Sequence, residues 1–231
     1  MLLTLFTLTL TLLSYRLAWW AYEKSRRNPL LHPFLIAMLP VSAVLMALDI
    51  SYAAYLDGTA VLQFFLGPAT VALAWPLYRQ LATLRNIWRQ VLLFILLGAP
   101  LAAGLAIGLA ALLGAPLDVI GSLAPKSITT PIALEVSRLT GGYPPLAAGV
   151  VALTGIVGVL AAPPVFRLLR VRDERIRGLA LGLVAHAIGT AKAFEYGERA
   201  GAYSSLALGL TGLLTALALP WLWPYVAALL S

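Results

Sequence analysis

Long apolar runs separated by short polar loops dominate the pattern of the 231-residue chain. A helix that spans a bilayer needs about 20 mostly apolar residues. The pattern therefore predicts six spanning helices, at residues 1–15, 28–48, 58–78, 90–117, 139–166 and 200–231. The first run alternates Leu and Thr like a strand, but a lone strand cannot satisfy its backbone hydrogen bonds in lipid, so a helix is predicted there too.

Composition supports a membrane protein and excludes most soluble classes. Hydrophobic residues make up 61% of the chain and charged residues 11%, whereas soluble domains carry about 25% charged residues. The chain has no cysteine and two histidines, so thiolate chemistry is absent and a histidine-based zinc site is not expected. No nucleophile–base set, phosphate-binding loop or dinucleotide fingerprint is present, and we predict that the protein is not an enzyme.

Positive charge is concentrated in three short loops, within a formal net charge of +7. These loops lie at residues 24–27, 79–89 and 167–177. Lys and Arg collect in cytoplasmic loops of membrane proteins, so all three are predicted to face the cytoplasm, with the N-terminus outside. Because no basic stripe or base-stacking motif occurs, nucleic acid is not expected as a partner. The basic residues of the third loop are expected to contact lipid headgroups.

The alternation of crossings breaks at residues 118–139. The preceding helix should end outside, and the helix at 139–166 must run inward to deliver the third basic loop to the cytoplasm. The segment between them is therefore either a re-entrant hairpin or a broken, partly spanning element. Pro125 and Pro131 interrupt its helical ladder, and such backbone is tolerated at membrane depth only when it is buried in protein or lines a wet cavity.

An internal repeat relates this segment to a later one. A shift of 60 residues lays residues 125–153 over residues 185–213 without a gap, and ten of the 29 positions are identical. The identical pairs are Ile128/Ile188, Thr130/Thr190, Ala133/Ala193, Glu135/Glu195, Gly141/Gly201, Tyr143/Tyr203, Leu146/Leu206, Ala147/Ala207, Gly149/Gly209 and Leu153/Leu213. Each copy is predicted to contain an interruption, a short helix with a carboxylate, a Gly-aromatic turn and a long apolar helix. A weaker echo lies at residues 67–70.

The predicted architecture is an all-α polytopic membrane protein with about six spanning helices and two interrupted or re-entrant segments. Residues 1–117 are predicted to form a scaffold, and residues 118–231 a repeat-containing core. Interrupted segments at corresponding positions of two repeats point to the binding site of a transporter. The helix start that follows each interruption presents free N–H groups and a positive dipole end, which suits an anion such as a carboxylate.

Two sets of residues are candidates for this chemistry. The predicted substrate-binding residues are Lys126, Ser127, Thr129, Thr130, His186, Gly189, Thr190, Lys192 and, in the weaker echo, Thr70. Glu135 and Glu195 are candidates for carrying a coupling H⁺ or Na⁺. Structural alternatives remain open: a snorkelling lysine, helix capping by the hydroxyls, a packed histidine, and carboxylates paired with Arg138 or Arg199.

Several longer motifs resemble the LrgB/CidB family. They are PKSITTPIA at 125–133, LTGI at 153–156, GLALG at 178–182, HAIGTAKA at 186–193 and LGPATVALA at 66–74. The resemblance covers nearly the whole chain. It implies a multi-pass protein of the bacterial plasma membrane, described as an antiholin-like or holin-like regulator of murein hydrolases and cell lysis, with an LrgA/CidA-type membrane partner. The plant relatives resemble a plastid glycolate/glycerate exchanger, bacterial relatives are linked to pyruvate transport, and the fold is distantly similar to cation/proton antiporters.

Three functions follow as hypotheses. The first is a secondary transporter of small monocarboxylates (pyruvate, lactate or glycolate) that works by alternating access and has no cofactor beyond the coupling ion. The second is a regulator of murein hydrolases, and the third is a scaffold for a partner. A charge at bilayer depth costs about 2–3 kcal/mol on insertion scales. A scaffold does not need such a charge, so the polar residues in the two interrupted segments favour transport. A homodimer in the lipid bilayer, held by the N-terminal helices, is expected.

Overall fold

The computed structural model describes residues 2–25, 27–28, 31–72, 75, 78 and 81–230, and these residues contain α-helices and no strand. The all-α prediction is confirmed for this part of the chain. The chain divides into two compact units, Met1–Ala72 and Leu73–Ser231.

The first unit is built on a long N-terminal helix. Its helices are α1 (Leu2–Lys24), α2 (Pro33–Ala47), α3 (Tyr52–Gly58) and α4 (Ala60–Ala72). The buried residues of α1 are Thr7, Ser14, Ala18 and Tyr22, a spacing of seven, four and four residues that places them on one helical face. Thr7 packs on Gly58 of α3, and Thr11 shares a 2.9 Å hydrogen bond with the hydroxyl of Tyr55.

The second unit contains three long helices with shorter ones between them. Its helices are α5 (Leu81–Leu112), α6 (Leu117–Leu123), α7 (Thr130–Leu139), α8 (Pro144–Leu168), α9 (Glu174–Tyr196) and α10 (Glu198–Leu230). The backbone leaves helical geometry at Ile87 in α5 and at His186 in α9. A buried apolar cluster joins α6, α7, α8 and the end of α10, through residues that include Ile120, Val136, Val151 and Trp223.

Four helices of the described residues are long and apolar enough to cross a bilayer: Leu2–Lys24, Ile87–Leu112, Pro144–Leu168 and Glu198–Leu230. They correspond to four of the six predicted spans. The predicted span at 28–48 is instead part of a bent pair, Ile36–Ala47 and Tyr52–Gly58, whose axes differ by 118°. The predicted span at 58–78 contains α4, which has 13 residues, and part of its C-terminal end lies outside the described residues.

Helices α6 and α7 form a hairpin that does not cross the unit, which we call hairpin 1 (residues 117–143). Its ends meet, because the Tyr143 hydroxyl donates to Asp118 Oδ2 at 2.6 Å and the Tyr143 amide donates to Ser122 Oγ at 2.6 Å. Gly142 lies so close to Ser122 that a Cβ there would come within 2.6 Å of the Ser122 amide. Residues 118–139 therefore form a closed helical hairpin and not one continuous helix across the unit.

Helix α9 forms a second hairpin, which we call hairpin 2 (residues 174–197). A straight helix would separate Arg177 from Tyr196 by about 28 Å, yet the Arg177 guanidinium lies 5.2 Å from the centre of the Tyr196 ring. Gly197 likewise lies against the carboxylate of Glu174. The reversal occurs at His186, where φ is 43° and ψ is −130°. Each arm is about 15–18 Å long, roughly half the hydrocarbon thickness.

The two hairpins begin at opposite ends of α8. Tyr143, at the end of hairpin 1, is the N-cap residue of α8, and Phe166 near the other end of α8 packs edge-on against Tyr196 at the base of hairpin 2. Both tips approach Val151 of α8: Ile128 of hairpin 1 shares a buried cluster with it, and His186 bonds to its carbonyl. The hairpins therefore enter from opposite sides and converge inside the unit.

One feature predicted for the repeat is wrong. A Gly-aromatic turn was expected in both copies, and Gly141 does form it in the first, with φ of 70°. In the second copy the turn lies at Gly197, with φ of 141°, whereas Gly201 and Tyr203 are buried inside α10. Gly201 serves a different purpose there, because its face is covered by the ring of Phe194.

Candidate functional site

The tip of hairpin 1 carries the first group of predicted site residues. Residues 124–127 form a turn between α6 and α7, in which Lys126 is partly buried and its Nζ lies 3.4 Å from the hydroxyl of Ser127. Thr129 precedes α7 in an extended conformation, but its side chain makes no capping hydrogen bond. The N-terminus of α7 therefore opens next to a lysine and a serine at the tip.

The tip of hairpin 2 is organised by His186. Its ring is 3% exposed and Nε2 donates to the carbonyl of Val151 at 2.9 Å. The ring lies over Gly155 of α8, where an added Cβ would stand 2.8 Å from Cε1 of the histidine. Because Ile128, two residues after Lys126, shares a buried cluster with Val151 and His186 bonds to the Val151 carbonyl, the two tips lie at the same part of α8.

Two further residues of hairpin 2 hold the tip in shape. Gly189 packs on the carbonyl of Leu181 and the methyl of Ala185, a contact between the two arms that leaves no room for a Cβ. The Thr190 hydroxyl donates to the His186 carbonyl at 2.9 Å and shares a second 2.9 Å hydrogen bond with Ser204 of α10. Thr190 thereby ties the broken backbone at His186 to the neighbouring helix.

Lys192 and Glu195 lie away from the tip and pair with each other. Lys192 Nζ donates to Glu195 Oε2 at 2.8 Å, and the side chains are 7% and 15% exposed. The ammonium also lies 5.9 Å from the centre of the Tyr196 ring. Both residues sit on the return arm of hairpin 2, beside the residues that close its base. Their predicted roles as substrate ligand and ion carrier thus belong to groups already engaged in a buried ion pair.

Glu135 lies away from the tip of hairpin 1, and the prediction for Thr70 is not tested. Glu135 lies on the exposed face of α7, where its carboxylate accepts from Arg138 at 3.0 Å with 61% of its side chain exposed. This pairing is one of the structural alternatives left open by the sequence. Thr70 belongs to α4, and its side chain lies outside the described residues.

Three of the predicted site residues at the tips are buried, whereas Lys126, Thr129 and Thr130 are partly exposed. Ser127, His186 and Thr190 are 6%, 3% and 2% exposed. A cavity of about 200 Å³ between α5 and α10 lies elsewhere, and its lining of residues such as Ala99, Gly104 and Leu219 includes none of the predicted site residues.

Sequence reasoning missed the contacts that close the base of hairpin 1. The hydrogen bond from the Tyr143 hydroxyl lowers the pKa of the Asp118 carboxyl, and the same carboxylate raises the pKa of the Tyr143 phenol. Thr140 adds a hydrogen bond to the Gly121 carbonyl at 3.0 Å. These partners are 19 and 25 residues apart, and no helical or strand spacing in the sequence indicates that they meet.

Comparison with protein families gives one match over most of the chain. Residues 11–225 match the LrgB-like family. Among curated proteins, the chain is 34% identical over 210 residues to an uncharacterized protein of Haemophilus influenzae, covering 90% of this chain and 91% of that protein. No solved structure matches.

Two other relatives come from Bacillus species. The chain is 35% identical over 216 residues to the uncharacterized protein YwbG of Bacillus subtilis, covering 94% of this chain and 96% of the relative. It is 29% identical over 221 residues to the antiholin-like protein LrgB of Bacillus mycoides, covering 96% of each. The similarity therefore extends over both compact units.

Proposed function

The chain belongs to the LrgB-like family, and on that premise we propose that it is a secondary transporter of small monocarboxylates. The observation that carries this proposal is the convergence of two hairpin tips on Val151, with Lys126 on one and His186 on the other. Broken helices that meet at membrane depth are typical of transporter binding sites. A protein without a polar ligand gains nothing from burying these groups, because each costs free energy in lipid.

The proposed site holds the carboxylate of the substrate between the two tips. Lys126 supplies the positive charge, and the hydroxyls of Ser127, Thr129 and Thr130 supply hydrogen bonds at the start of α7. The dipole of α7 points its positive end toward the same place. From the other side His186 faces the site, with Gly189 and Thr190 keeping the second tip in position. This arrangement suits one small anion with a short apolar tail.

The proposed cycle is alternating access. In the described conformation Ser127, His186 and Thr190 are buried, and movement of one hairpin along α8 would open the site to one side at a time. H⁺ or Na⁺ is the proposed coupling ion, with Glu195, Glu135 and His186 as its candidate carriers. No covalent chemistry is part of the proposal.

The proposed topology has about six crossings, one of them made by the bent pair α2 and α3, and two re-entrant hairpins in a bacterial plasma membrane. The basic loops face the cytoplasm, so hairpin 1 enters from outside and hairpin 2 from the cytoplasm. Residues 1–117 would form the scaffold of a homodimer, and residues 118–231 the moving core.

Uptake into liposomes tests the proposal. Purified protein would be reconstituted and supplied with radiolabelled pyruvate, lactate or glycolate, with and without imposed H⁺ or Na⁺ gradients. We expect saturable uptake of at least one acid. Lys126→Ala should weaken its apparent affinity about 10- to 100-fold, because a charge-assisted contact is lost. Lys24→Ala, which removes an exposed lysine at the end of α1, is the matched control and should leave uptake unchanged.

The second candidate function is regulation of murein hydrolases together with a small LrgA/CidA-type membrane partner. It is favoured by the name of a relative, the antiholin-like protein LrgB. Under this hypothesis liposomes would take up none of the three acids, while deletion of the gene would change the rate of autolysis. Saturable uptake that depends on Lys126 would contradict a purely regulatory role.

A further inference from the structure

An unpartnered hydroxyl lies in α10 at the level of the two tips. Thr211 is 1% exposed, and its Oγ1 has no hydrogen-bond partner within the described part of the chain. Burying such a group without a partner costs about 1–3 kcal/mol, and a valine would fill the same space without that cost. The hydroxyl therefore calls for a partner that the described residues do not provide.

The contacts of α10 with hairpin 2 place Thr211 along the membrane axis. Gly178 and Gly182 of the first arm pack on the carbonyls of Ala200 and Ser204, so the arm and α10 run side by side with an offset of 22 residues. Continued for one turn, this offset puts His186 level with Leu208. Thr211 follows three residues later, about 4.5 Å further along the axis.

The contacts of α10 with hairpin 1, which approaches from the opposite end of α8, also place Thr211 at the level of the tips. Gly121, near the base of that hairpin, faces Trp223, whereas a Cβ added at Gly212 would stand 3.0 Å from the Ile132 side chain at the start of α7. Thr211 precedes Gly212 and lies seven residues, two helical turns, beyond Ser204. It therefore shares with Ser204 the face of α10 that is turned to the hairpins.

The repeat register singles out the same position. The 60-residue shift that lays Lys126 over His186 also lays Val151 over Thr211. His186 bonds to the carbonyl of Val151 on α8. In the repeat, Lys126 corresponds to His186 and Thr211 of α10 corresponds to Val151. The two long helices thus contribute one position each to the region where the tips meet.

We propose that the Thr211 hydroxyl donates a hydrogen bond to the substrate carboxylate, making α10 a third wall of the site beside the two hairpin tips. This inference rests on the proposed transport function, and it adds a ligand on an element outside both interrupted segments. It requires the position to become wet as the hairpins open, because the substrate reaches it from water.

Cysteine labelling tests the position independently of transport. The chain contains no cysteine, so Thr211→Cys is a single probe for a small, charged, water-soluble thiol reagent. Its control is Leu210→Cys, which lies at nearly the same depth in α10. The Leu210 side chain packs against a buried apolar cluster that includes Val91 and Ile95 of α5. A thiol reacts as its hydrated thiolate and is inert in apolar surroundings, so Thr211→Cys in liposomes should label at least about tenfold faster, and pyruvate should slow its labelling.

The outcomes separate this inference from the proposed function. Labelling of Thr211→Cys that is no faster than that of Leu210→Cys, or that no tested acid slows, would overturn the inference even if the wild type transports. Absence of uptake by the wild type would overturn the transport proposal, whatever the labelling.

Uptake kinetics give a second test. Thr211→Val should raise KM about tenfold with little change in the maximal rate, and Thr211→Ser, which keeps the hydroxyl, should have the wild-type KM. Equal KM values for the valine and serine variants would also contradict the inference.

Discussion

His186 combines a strained backbone with a buried, bonded ring. Its φ of 43° lies in the left-handed region, which costs a residue with a side chain about 1–3 kcal/mol. Glycine would adopt this conformation without strain, so the imidazole is present despite a local cost. A buried hydrogen bond to Val151 and a place over Gly155 give the ring a defined position at the tip.

The strain at His186 predicts an unusual order of stability among its variants. His186→Gly and His186→Ala both remove the ring and its hydrogen bond, but only glycine suits the positive φ. We expect His186→Gly to be more stable than His186→Ala by about 1–2 kcal/mol, seen as a higher melting temperature in detergent. An alanine variant as stable as the glycine variant would mean that this backbone conformation is not adopted in solution.

Glu135 and Glu195 occupy one repeat position in two environments. Each pairs with a basic residue three positions away, but the Glu135–Arg138 pair is exposed and the Lys192–Glu195 pair is buried. An exposed pair contributes about 0–1 kcal/mol. Breaking a buried pair leaves an uncompensated charge and costs about 3–5 kcal/mol.

These environments predict different costs for the same substitution. Glu195→Gln should lower the free energy of unfolding by about 3 kcal/mol, because it leaves the Lys192 ammonium buried without its carboxylate. Glu135→Gln, the matched control, should change it by less than about 1 kcal/mol. Both would be measured by thermal melting in the same detergent. Equal losses would show that Glu195 is as hydrated as Glu135.

At the residue scale, the sequence predicted the polar residues at the two tips but not how buried each side chain is. Lys126 and His186 were predicted because each stands at a break in an apolar run. The three-residue spacing of Lys192 and Glu195 is also typical of a helical ion pair, yet nothing in the sequence tells that it is buried while its counterpart is exposed. Thr211 was not predicted, because the repeat aligns it with the apolar Val151, and only the structure shows that Val151 lies where the tips meet.

At the scale of elements, hairpin 2 is held to α10 by direct backbone approach. Gly178 and Gly182 are spaced by one turn, and each lies against a carbonyl of α10. Small residues at this spacing allow helices in lipid to pack at close range. The first arm is therefore fixed to α10 through contacts that no other residue type permits.

This packing predicts that an added methyl group in the first arm disrupts the hairpin. Gly182→Ala would place a Cβ against the Ser204 carbonyl, forcing the arm away from α10 and straining the nearby Thr190–Ser204 hydrogen bond. We expect a loss of about 2 kcal/mol or more, in the range of overpacked cores. Gly149→Ala in α8, where nothing lies within 4 Å, should gain about 0.5–1 kcal/mol. Comparable melting temperatures for both variants would contradict the close approach.

The two hairpins differ in how far the sequence predicted them. The order of basic loops excluded a simple crossing at 118–139, which left hairpin 1 as one of two alternatives. In the second copy the expected turn was misplaced by four residues, because Gly201 permits close approach to Phe194 and the chain turns at Gly197 instead. Glycine serves both purposes, and only the packed structure distinguishes them.

At the scale of the whole molecule, the proposed function depends on two hairpins that share one site. Their bases lie at opposite ends of α8 and their tips approach Val151. In the proposed transporter a substrate held between them would contact both, so that movement of either hairpin would change the whole site. The repeat in the sequence predicted a common centre, and the entry of the hairpins from opposite ends of α8 supplies the geometric reason.

A double-mutant cycle on Lys126 and His186 tests this claim most directly. The apparent KM for the transported acid would be measured in liposomes for wild type, Lys126→Ala, His186→Ala and the double variant. Residues that hold one anion together give non-additive effects. We predict that the double variant weakens affinity at least about fivefold less than the product of the single effects, a coupling of about 1 kcal/mol. Strictly multiplicative effects would contradict a shared site.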